Sequence, residues 1–281
     1  MSSPAPAKVP PSVASATLAV AGVQMVSGID PSANCEAAAV QIAQAAAGGA
    51  RVVVLPEYFC LLGQRDTDKV GLREPEGNGP LQSFLSEQAS LHGIWLIGGT
   101  VPLVSSRPSR VRNTCLVFGP DGSRKARYDK IHLFGFNRGE ERFDESATIE
   151  AGRTPVVIDI DGWRIGVSVC YDLRFPELYR ALSPCDLIIV PSAFTYTTGE
   201  AHWEILLRAR AIENQCYVLA PAQGGRHQNG RRTWGHTMLI DPWGEVLQVL
   251  PEGAGVVAGT LQRQRIADVR RSLPALTHRI M

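Results

Sequence analysis

Four short runs of the chain carry no polar alternation, and they constrain the fold more than any other feature of the sequence. They are VVVL, IGVSV, LIIV and YVLA, at residues 52–55, 165–169, 187–190 and 217–220. A strand with one solvent-exposed face alternates apolar and polar side chains, whereas these runs are typical of strands that are buried on both faces. Helices or a second sheet must therefore cover each side of them.

The segments between these runs alternate between helix and strand. Residues 31–47 are Ala-rich and predict a helix that ends at Gly48-Gly49, and residues 80–93, 176–182 and 200–214 also predict helices. Turns at residues 120–122, 161–162 and 243–244 predict three hairpins. The chain is therefore of the α/β class. The pattern alone leaves two arrangements open, a four-layer αββα sandwich and a doubly wound single sheet.

Size and charge limit the organisation and the partners. The 281 residues are 44% hydrophobic, which is enough for one core, so residues 17–281 are expected to form a single domain. Residues 1–16 are rich in Pro, Ala and Ser and are expected to be a flexible tail without a secretory signal. A net charge of +1 favours neither nucleic acid nor a membrane, so we expect a small-molecule partner and a cytoplasmic location.

Metal and cofactor motifs are missing from the sequence. The six cysteines and six histidines show no ligand spacing, and no dinucleotide-binding or phosphate-binding glycine motif is present. Residues 66–77 begin like a calcium loop, but Gly77 stands where a bidentate Glu is needed, which predicts a surface loop. We therefore expect no metal and no organic cofactor.

Three ionisable residues each follow a predicted strand. Glu57 follows VVVLP, Lys130 follows RKARYD and Cys170 follows RIGVSV. Taken singly, they have ordinary explanations as a solvated loop residue, a surface ion pair with Asp129 and a core cysteine. Taken together, they suit nucleophilic catalysis, because a carboxylate can remove the thiol proton and a nearby ammonium stabilises the thiolate.

The segments around these residues resemble a known family. LPEYF, YDKIHLF and GVSVCYDLRFPELYR look like the three signature blocks of the nitrilase superfamily of carbon–nitrogen hydrolases, in the family's order. The resemblance runs from about residue 18 to about residue 261. It implies the αββα sandwich, a catalytic triad of Glu57, Lys130 and Cys170, and a homodimer or larger homo-oligomer. It also implies a second glutamate at Glu145, for which a solvated loop position is the alternative.

Downstream segments indicate a branch of the superfamily. HWEILLRARAIENQCYV and AQGGRH look most like the branch of the deaminated glutathione amidases, with the omega-amidases next. Hydrolysis of nitriles or N-carbamoyl amines is the alternative within the enzyme class, because the whole superfamily shares the fold and the triad. A non-catalytic scaffold is disfavoured because it has no need of all three triad residues.

The resemblance also implies a mechanism through a thioester on Cys170, with Glu57 as the base. Lys130 and the backbone N–H of Tyr171 are expected to hold the oxyanion. A substrate carboxylate would need cationic or hydrogen-bonding partners. The candidates are Arg174, Thr195, Arg226 and His227, with a structural ion pair to Glu177 as the alternative for Arg174.

Overall fold

The computed structural model of the protein describes residues 15–139 and 141–280. Two large β-sheets and two small hairpin sheets form its framework. In chain order the strands are β1 (Thr17–Gln24), β2 (Val52–Val54), β3 (Trp95–Ile97), β4 (Val101–Val104), β5 (Val111–Phe118), β6 (Arg124–Asp129), β7 (Gly135–Arg138), β8 (Glu141–Asp144), β9 (Val156–Ile160), β10 (Trp163–Val167), β11 (Leu187–Ile189), β12 (Tyr217–Ala220), β13 (Gly224–Arg226), β14 (Arg232–Trp234), β15 (Thr237–Ile240), β16 (Val246–Leu250) and β17 (Gly255–Gln262).

The helices lie mainly between the strands of the large sheets. Within the described ranges they are α1 (Pro31–Ala47), α2 (Asp68–Gly71), α3 (Pro80–His92), α4 (Pro176–Leu182), α5 (Tyr196–Asn214) and α6 (Arg263–Ser272). Short 3₁₀ turns cover Glu145–Ala147, Cys170–Arg174 and Ala275–Thr277. Among these helices none is both long enough and apolar enough to cross a bilayer.

Each of the two large sheets has three parallel strands at its centre. The first has the order β17-β1-β2-β3-β5-β4, with β6 beside β5, and the second has the order β16-β15-β12-β11-β10-β9. Strands β1, β2 and β3 are parallel, and so are β10, β11 and β12. Carboxyl ends of parallel strands lie at one edge of a sheet, so each sheet brings the loops after these strands together.

The core shows that the sheets pack face to face between outer helices. Val52 and Val54 of β2 belong to the core between the sheets, whereas Val53 packs on the other side with Ile42 of α1 and Leu85 of α3. On the second sheet, α4 and α5 cover the outer face. The chain is thus a four-layer αββα sandwich, and the single doubly wound sheet is excluded. Full burial of each such valine is worth about 1.5–3 kcal/mol.

Three predicted hairpins and the first helix are confirmed. The β9–β10 turn has Asp161 and Gly162 at φ 52° and 82°, the combination that a two-residue hairpin with the right-handed strand twist needs. The other two predicted turns join β5 to β6 and β15 to β16. Helix α1 has the predicted bounds, and Gly49 at φ 87° follows its end.

Three predictions need comment. Helix α5 begins at Tyr196 rather than at residue 200, because the Thr195 hydroxyl accepts a hydrogen bond from the Thr198 N–H and caps the helix earlier. The segment 66–77 is not only a loop, since it contains the short helix α2. Most of the predicted tail, residues 1–14, lies outside the described residues.

Gly99 allows a close backbone approach beside β2. Its φ is 55°, and a Cβ at this position would lie 2.0 Å from the carbonyl oxygen of Pro56. Gly93, which caps α3, has a similar φ of 62° but open space around it. Alanine substitutions at Gly93 and Gly99 therefore distinguish the cost of a left-handed backbone from the cost of a steric clash.

We expect Gly99→Ala to destabilise the fold more than Gly93→Ala. Both substitutions place a Cβ on a left-handed residue, which costs about 1–2 kcal/mol. The clash with Pro56 adds about 1–3 kcal/mol or more to the Gly99 variant only. Urea unfolding of the two variants measures the difference, and equal free energies of unfolding would contradict the steric argument.

Candidate active site

Glu57, Lys130 and Glu145 form a buried ionic cluster. Glu57 follows β2, Lys130 follows β6 and Glu145 opens a 3₁₀ turn. The Lys130 Nζ lies 2.9 Å from Glu57 Oε1 and 2.8 Å from Glu145 Oε2. The Lys130 side chain is 0% exposed and that of Glu145 is 13% exposed, so the solvated explanations for these residues do not hold.

Glu57 is held by three donors from different elements. Its Oε1 accepts hydrogen bonds from Asn113 Nδ2 and Lys130 Nζ, each at 2.9 Å, and its Oε2 accepts one from the Ala193 N–H at 3.1 Å. Burial nevertheless raises the pKa of Glu57 above its ordinary value, and the Glu145 charge adds to this, while Lys130 opposes it. Glu57 is therefore a stronger base than an exposed glutamate.

Lys130 and Glu145 stabilise each other's charges. Burial acts to lower the pKa of Lys130, but the two glutamates outweigh it and hold that pKa well above the ordinary value. Burial likewise acts to raise the pKa of Glu145, but Lys130 and two further donors lower it. These donors are the Phe134 N–H at 2.7 Å and the Tyr58 hydroxyl at 2.8 Å. The Lys130 ammonium is thus fixed and charged.

Cys170 sits in a strained turn beside this cluster. It is the first residue of a 3₁₀ turn after β10, its φ is 50°, and its N–H donates to Pro191 O at 3.0 Å. Left-handed backbone is unusual for a side chain of this kind and often marks a functional position. Burial raises the pKa of the Cys170 thiol well above its usual value, with the Glu57 charge adding and Lys130 opposing. The resting thiol needs a base to ionise.

Asp172 holds this turn in place, and sequence reasoning missed it. Its fully buried carboxylate accepts hydrogen bonds from the Val169 N–H at 2.9 Å, the Tyr128 hydroxyl at 2.6 Å and the His132 N–H at 3.0 Å. His132 Nδ1 also lies 2.7 Å from it. Asp172 thereby ties the end of β6 to the turn of Cys170. The available signal was an acidic residue directly after an apolar strand and its cysteine.

A wide cavity of about 310 Å³ opens over Glu57, Glu145 and Cys170. Its walls are strongly charged. The cations Lys69, Arg231 and Arg232 and the acids Asp66, Glu141 and Asp144 all line it. Neither Lys69 nor the two arginines were predicted from the sequence, because their residue types alone do not separate a cavity wall from a surface loop.

A small recess of about 20 Å³ adjoins the wide cavity and shares Phe134, Cys170, Ala193 and Thr195 with it. It is lined by Tyr171, Arg174 and Thr195, so three of the predicted substrate-binding residues lie together. The Arg174 guanidinium lies 3.2 Å from His202 Nδ1 and packs over the Phe194 ring at 5.5 Å. Within the described chain it forms no ion pair with Glu177, so the structural alternative for Arg174 is not observed.

Arg226 and His227 lie elsewhere, and their predicted contact with substrate is not supported. Arg226 ends β13 with an exposed side chain, and the residue paired with it across the hairpin, Arg232, lines the wide cavity instead. His227 is buried between Ser27 O at 2.9 Å and Thr233 Oγ1 at 2.7 Å, and burial lowers its pKa.

Comparison with known proteins identifies the family of the chain. The family model for carbon–nitrogen hydrolases matches residues 17–271. A deaminated glutathione amidase of Yersinia enterocolitica is 40% identical over 264 residues, which cover 92% of each chain. An omega-amidase of Danio rerio is 38% identical over 260 residues, which cover 88% of each chain.

Solved structures of related proteins also superpose on this chain. The NitFhit protein of C. elegans superposes with a TM-score of 0.86 at 36% identity, over 95% of this chain and 66% of that chain. Nit3 of Saccharomyces cerevisiae, a member of branch 10 of the nitrilase superfamily, gives a TM-score of 0.85 at 31% identity, over 95% and 98% of the two chains. Given these matches, the chain belongs to the carbon–nitrogen hydrolase family of the nitrilase superfamily.

Proposed function

We propose that this carbon–nitrogen hydrolase is an amidase that cleaves deaminated glutathione through a thioester on Cys170. One observation carries the proposal most directly. Cys170 and Glu57 face one cavity, and the buried Lys130 ammonium lies 2.9 Å from Glu57. A thiol, a basic carboxylate and a fixed cation at one place are what acyl transfer to cysteine requires.

The first half of the reaction forms the thioester. Glu57 takes the proton of the Cys170 thiol, and the sulfur attacks the amide carbonyl carbon. Lys130 and the Tyr171 N–H hold the oxygen that becomes negative, each contributing on the order of 3 kcal/mol. Collapse of the intermediate breaks the carbon–nitrogen bond, and Glu57 returns the proton to the departing amine.

The second half releases the acid. Glu57 takes a proton from a water molecule, and the resulting hydroxide attacks the thioester carbonyl. Collapse of this intermediate releases the acid and breaks the carbon–sulfur bond, and Glu57 returns the proton to the Cys170 sulfur. Glu145 acts as a positioning residue, because it holds Lys130 through both carboxylate oxygens at 2.8 and 3.0 Å. No step needs a metal or an organic cofactor.

The substrate proposal rests on the relatives and on the charged walls. Relatives named deaminated glutathione amidase are 40% identical, and those named omega-amidase reach 38%. The cations Lys69, Arg174, Arg231 and Arg232 line the wide cavity or the recess and suit a substrate with carboxylates. Deaminated glutathione is therefore the leading substrate and 2-oxoglutaramate the second.

We further propose a single domain over residues 17–281, a cytoplasmic location and a homodimer or larger assembly. All six cysteines are free, which suits a reducing compartment. On α5, Ile205 is 71% exposed and Ile212 is 48% exposed. Exposed large apolar side chains on one helix favour contact with a second copy of the chain.

Replacing Cys170 with alanine is expected to abolish turnover. Wild-type enzyme quenched with deaminated glutathione should carry a 2-oxoglutaryl adduct on the Cys170 peptide, and its products should be 2-oxoglutarate and cysteinylglycine. Cys35→Ala is the matched control, because burial raises the pKa of Cys35 to about 11 at a site remote from the cavity. Mass spectrometry checks both points. Turnover by Cys170→Ala would refute the thioester mechanism. If the wild-type enzyme hydrolyses nitriles or N-carbamoyl amines faster than deaminated glutathione, the assignment to the amidase branch is wrong.

The pH dependence should report Glu57. The base must be deprotonated, and burial raises its pKa, so kcat/KM is expected to fall with decreasing pH at a higher pH than for an ordinary glutamate. Asn113→Ala removes a donor that stabilises the charged carboxylate and should move this acid limb to still higher pH. The exposed Asn137→Ala is the control. If Asn113→Ala does not shift the acid limb of the kcat/KM profile, Glu57 is not the base.

Association is expected to depend on α5. Light scattering at micromolar concentration should return at least twice the 30.4 kDa of one chain. Ile205→Glu should reduce this mass, because a charge in an apolar contact is costly. Leu91→Glu on α3 is the matched control, since Leu91 is also 71% exposed. A monomeric wild-type protein would contradict the proposed assembly.

A further inference from the structure

Lys69 is a cation on the wall of the wide cavity that the proposed mechanism does not use. It belongs to α2, and its Nζ lies 3.4 Å from Thr148 Oγ1 and 5.4 Å from the centre of the Tyr58 ring. Tyr58 in turn donates a hydrogen bond to Glu145, so Lys69 lies close to the ionic cluster. Burial lowers the pKa of Lys69, although the Glu145 and Asp66 charges oppose this.

The other two cations of the wide cavity already have carboxylate partners. Arg231 pairs with Asp66 at 2.9 Å, and Arg232 approaches Glu252 at 3.6 Å. Among residues 15–139 and 141–280, no carboxylate oxygen lies within 4.0 Å of the Lys69 Nζ. A largely buried ammonium without an anion is costly. A substrate carboxylate in the cavity would compensate that cost.

The position of Glu57 decides which end of the substrate faces Lys69. Glu57 lines the wide cavity but not the recess. Since Glu57 returns the proton to the departing nitrogen, the leaving amine must extend into the wide cavity. The recess has room for little more than one water-sized group, but Arg174 on its wall is available for the carboxylate of the oxo acid. Lys69 lines the wide cavity and Arg174 lines the recess, so the two cations belong to different parts of the site.

We propose that Lys69 is a specificity-determining residue that binds the carboxylate of the leaving amine. This inference rests on the proposed function and deepens it, because it selects amides whose leaving group is an amino acid or dipeptide with a free carboxylate. A dipeptide leaving group spans about 7 Å when extended, and the wide cavity has a volume of about 310 Å³ to receive it. Ammonia, the leaving group of 2-oxoglutaramate, has no such carboxylate and gains nothing from Lys69.

The test compares three substrates on the full-length enzyme. They are deaminated glutathione, its C-terminal carboxamide, and 2-oxoglutaramate. Lys69→Met keeps the length of the side chain and removes the charge, Lys69→Arg keeps the charge, and Lys125→Met is a control because Lys125 pairs with Asp121 on an exposed hairpin. The measured quantity is kcat/KM for each enzyme and substrate.

Lys69→Met is expected to lower kcat/KM for deaminated glutathione, relative to its effect on 2-oxoglutaramate, by about 10- to 100-fold, the range for losing a hydrogen bond to a charged group. The loss should lie mainly in KM. Wild type should discriminate against the carboxamide, Lys69→Met should not, and Lys69→Arg should restore part of the discrimination.

Two other outcomes are distinguishable. If wild type hydrolyses deaminated glutathione but Lys69→Met affects all three substrates equally, Lys69 does not contact the leaving-group carboxylate and this inference fails alone. If wild type hydrolyses neither deaminated glutathione nor 2-oxoglutaramate, the proposed function fails and this inference fails with it.

Discussion

The Lys130 ammonium between Glu57 and Glu145 is the interaction on which the rest of the site depends. Each of these charges would cost several kcal/mol to bury alone, and together they compensate one another. Removing Lys130 would leave two carboxylates in a closed space and would raise the pKa of both. The same ammonium lowers the pKa of the Cys170 thiol, which the glutamates raise. Charge balance at this one nitrogen thus governs the protonation of both the Glu57 carboxyl and the Cys170 thiol.

The charges of Lys130, Glu57 and Glu145 compensate one another only if the segments that carry them keep their positions. Asp172 supplies this constraint by accepting hydrogen bonds from Val169, Tyr128 and His132, which belong to both sheets' strand ends. The left-handed Cys170 and the close approach of Gly99 to Pro56 are further points where the backbone is fixed around the cluster. The site is therefore rigid because the two sheets meet there, and the β-sandwich core supports its geometry directly.

The fold and the ionic cluster were largely predictable, whereas the walls of the cavity were not. Runs such as VVVL reveal burial on both faces, and the structure brings Glu57 and Cys170, which follow two of these runs, to one cavity. The layer arrangement followed only from the family resemblance. Arg226 and His227 were chosen because they follow a predicted strand, but Arg231 and Arg232 line the cavity instead. Lys69 and Asp172 depend on tertiary contacts that no local pattern carries.

The location of the cations in the fold has a consequence for how such enzymes diversify. Glu57 and Cys170 follow buried central strands of the two large sheets, but Arg231 and Arg232 belong to the β13–β14 hairpin and Lys69 to a helix of four residues. Peripheral segments tolerate substitution and changes in length far better than core strands do. Mutation can therefore alter the set of accepted amides while the chemistry stays constant. A fold divided in this way lets one acyl-transfer centre serve many metabolites over evolutionary time.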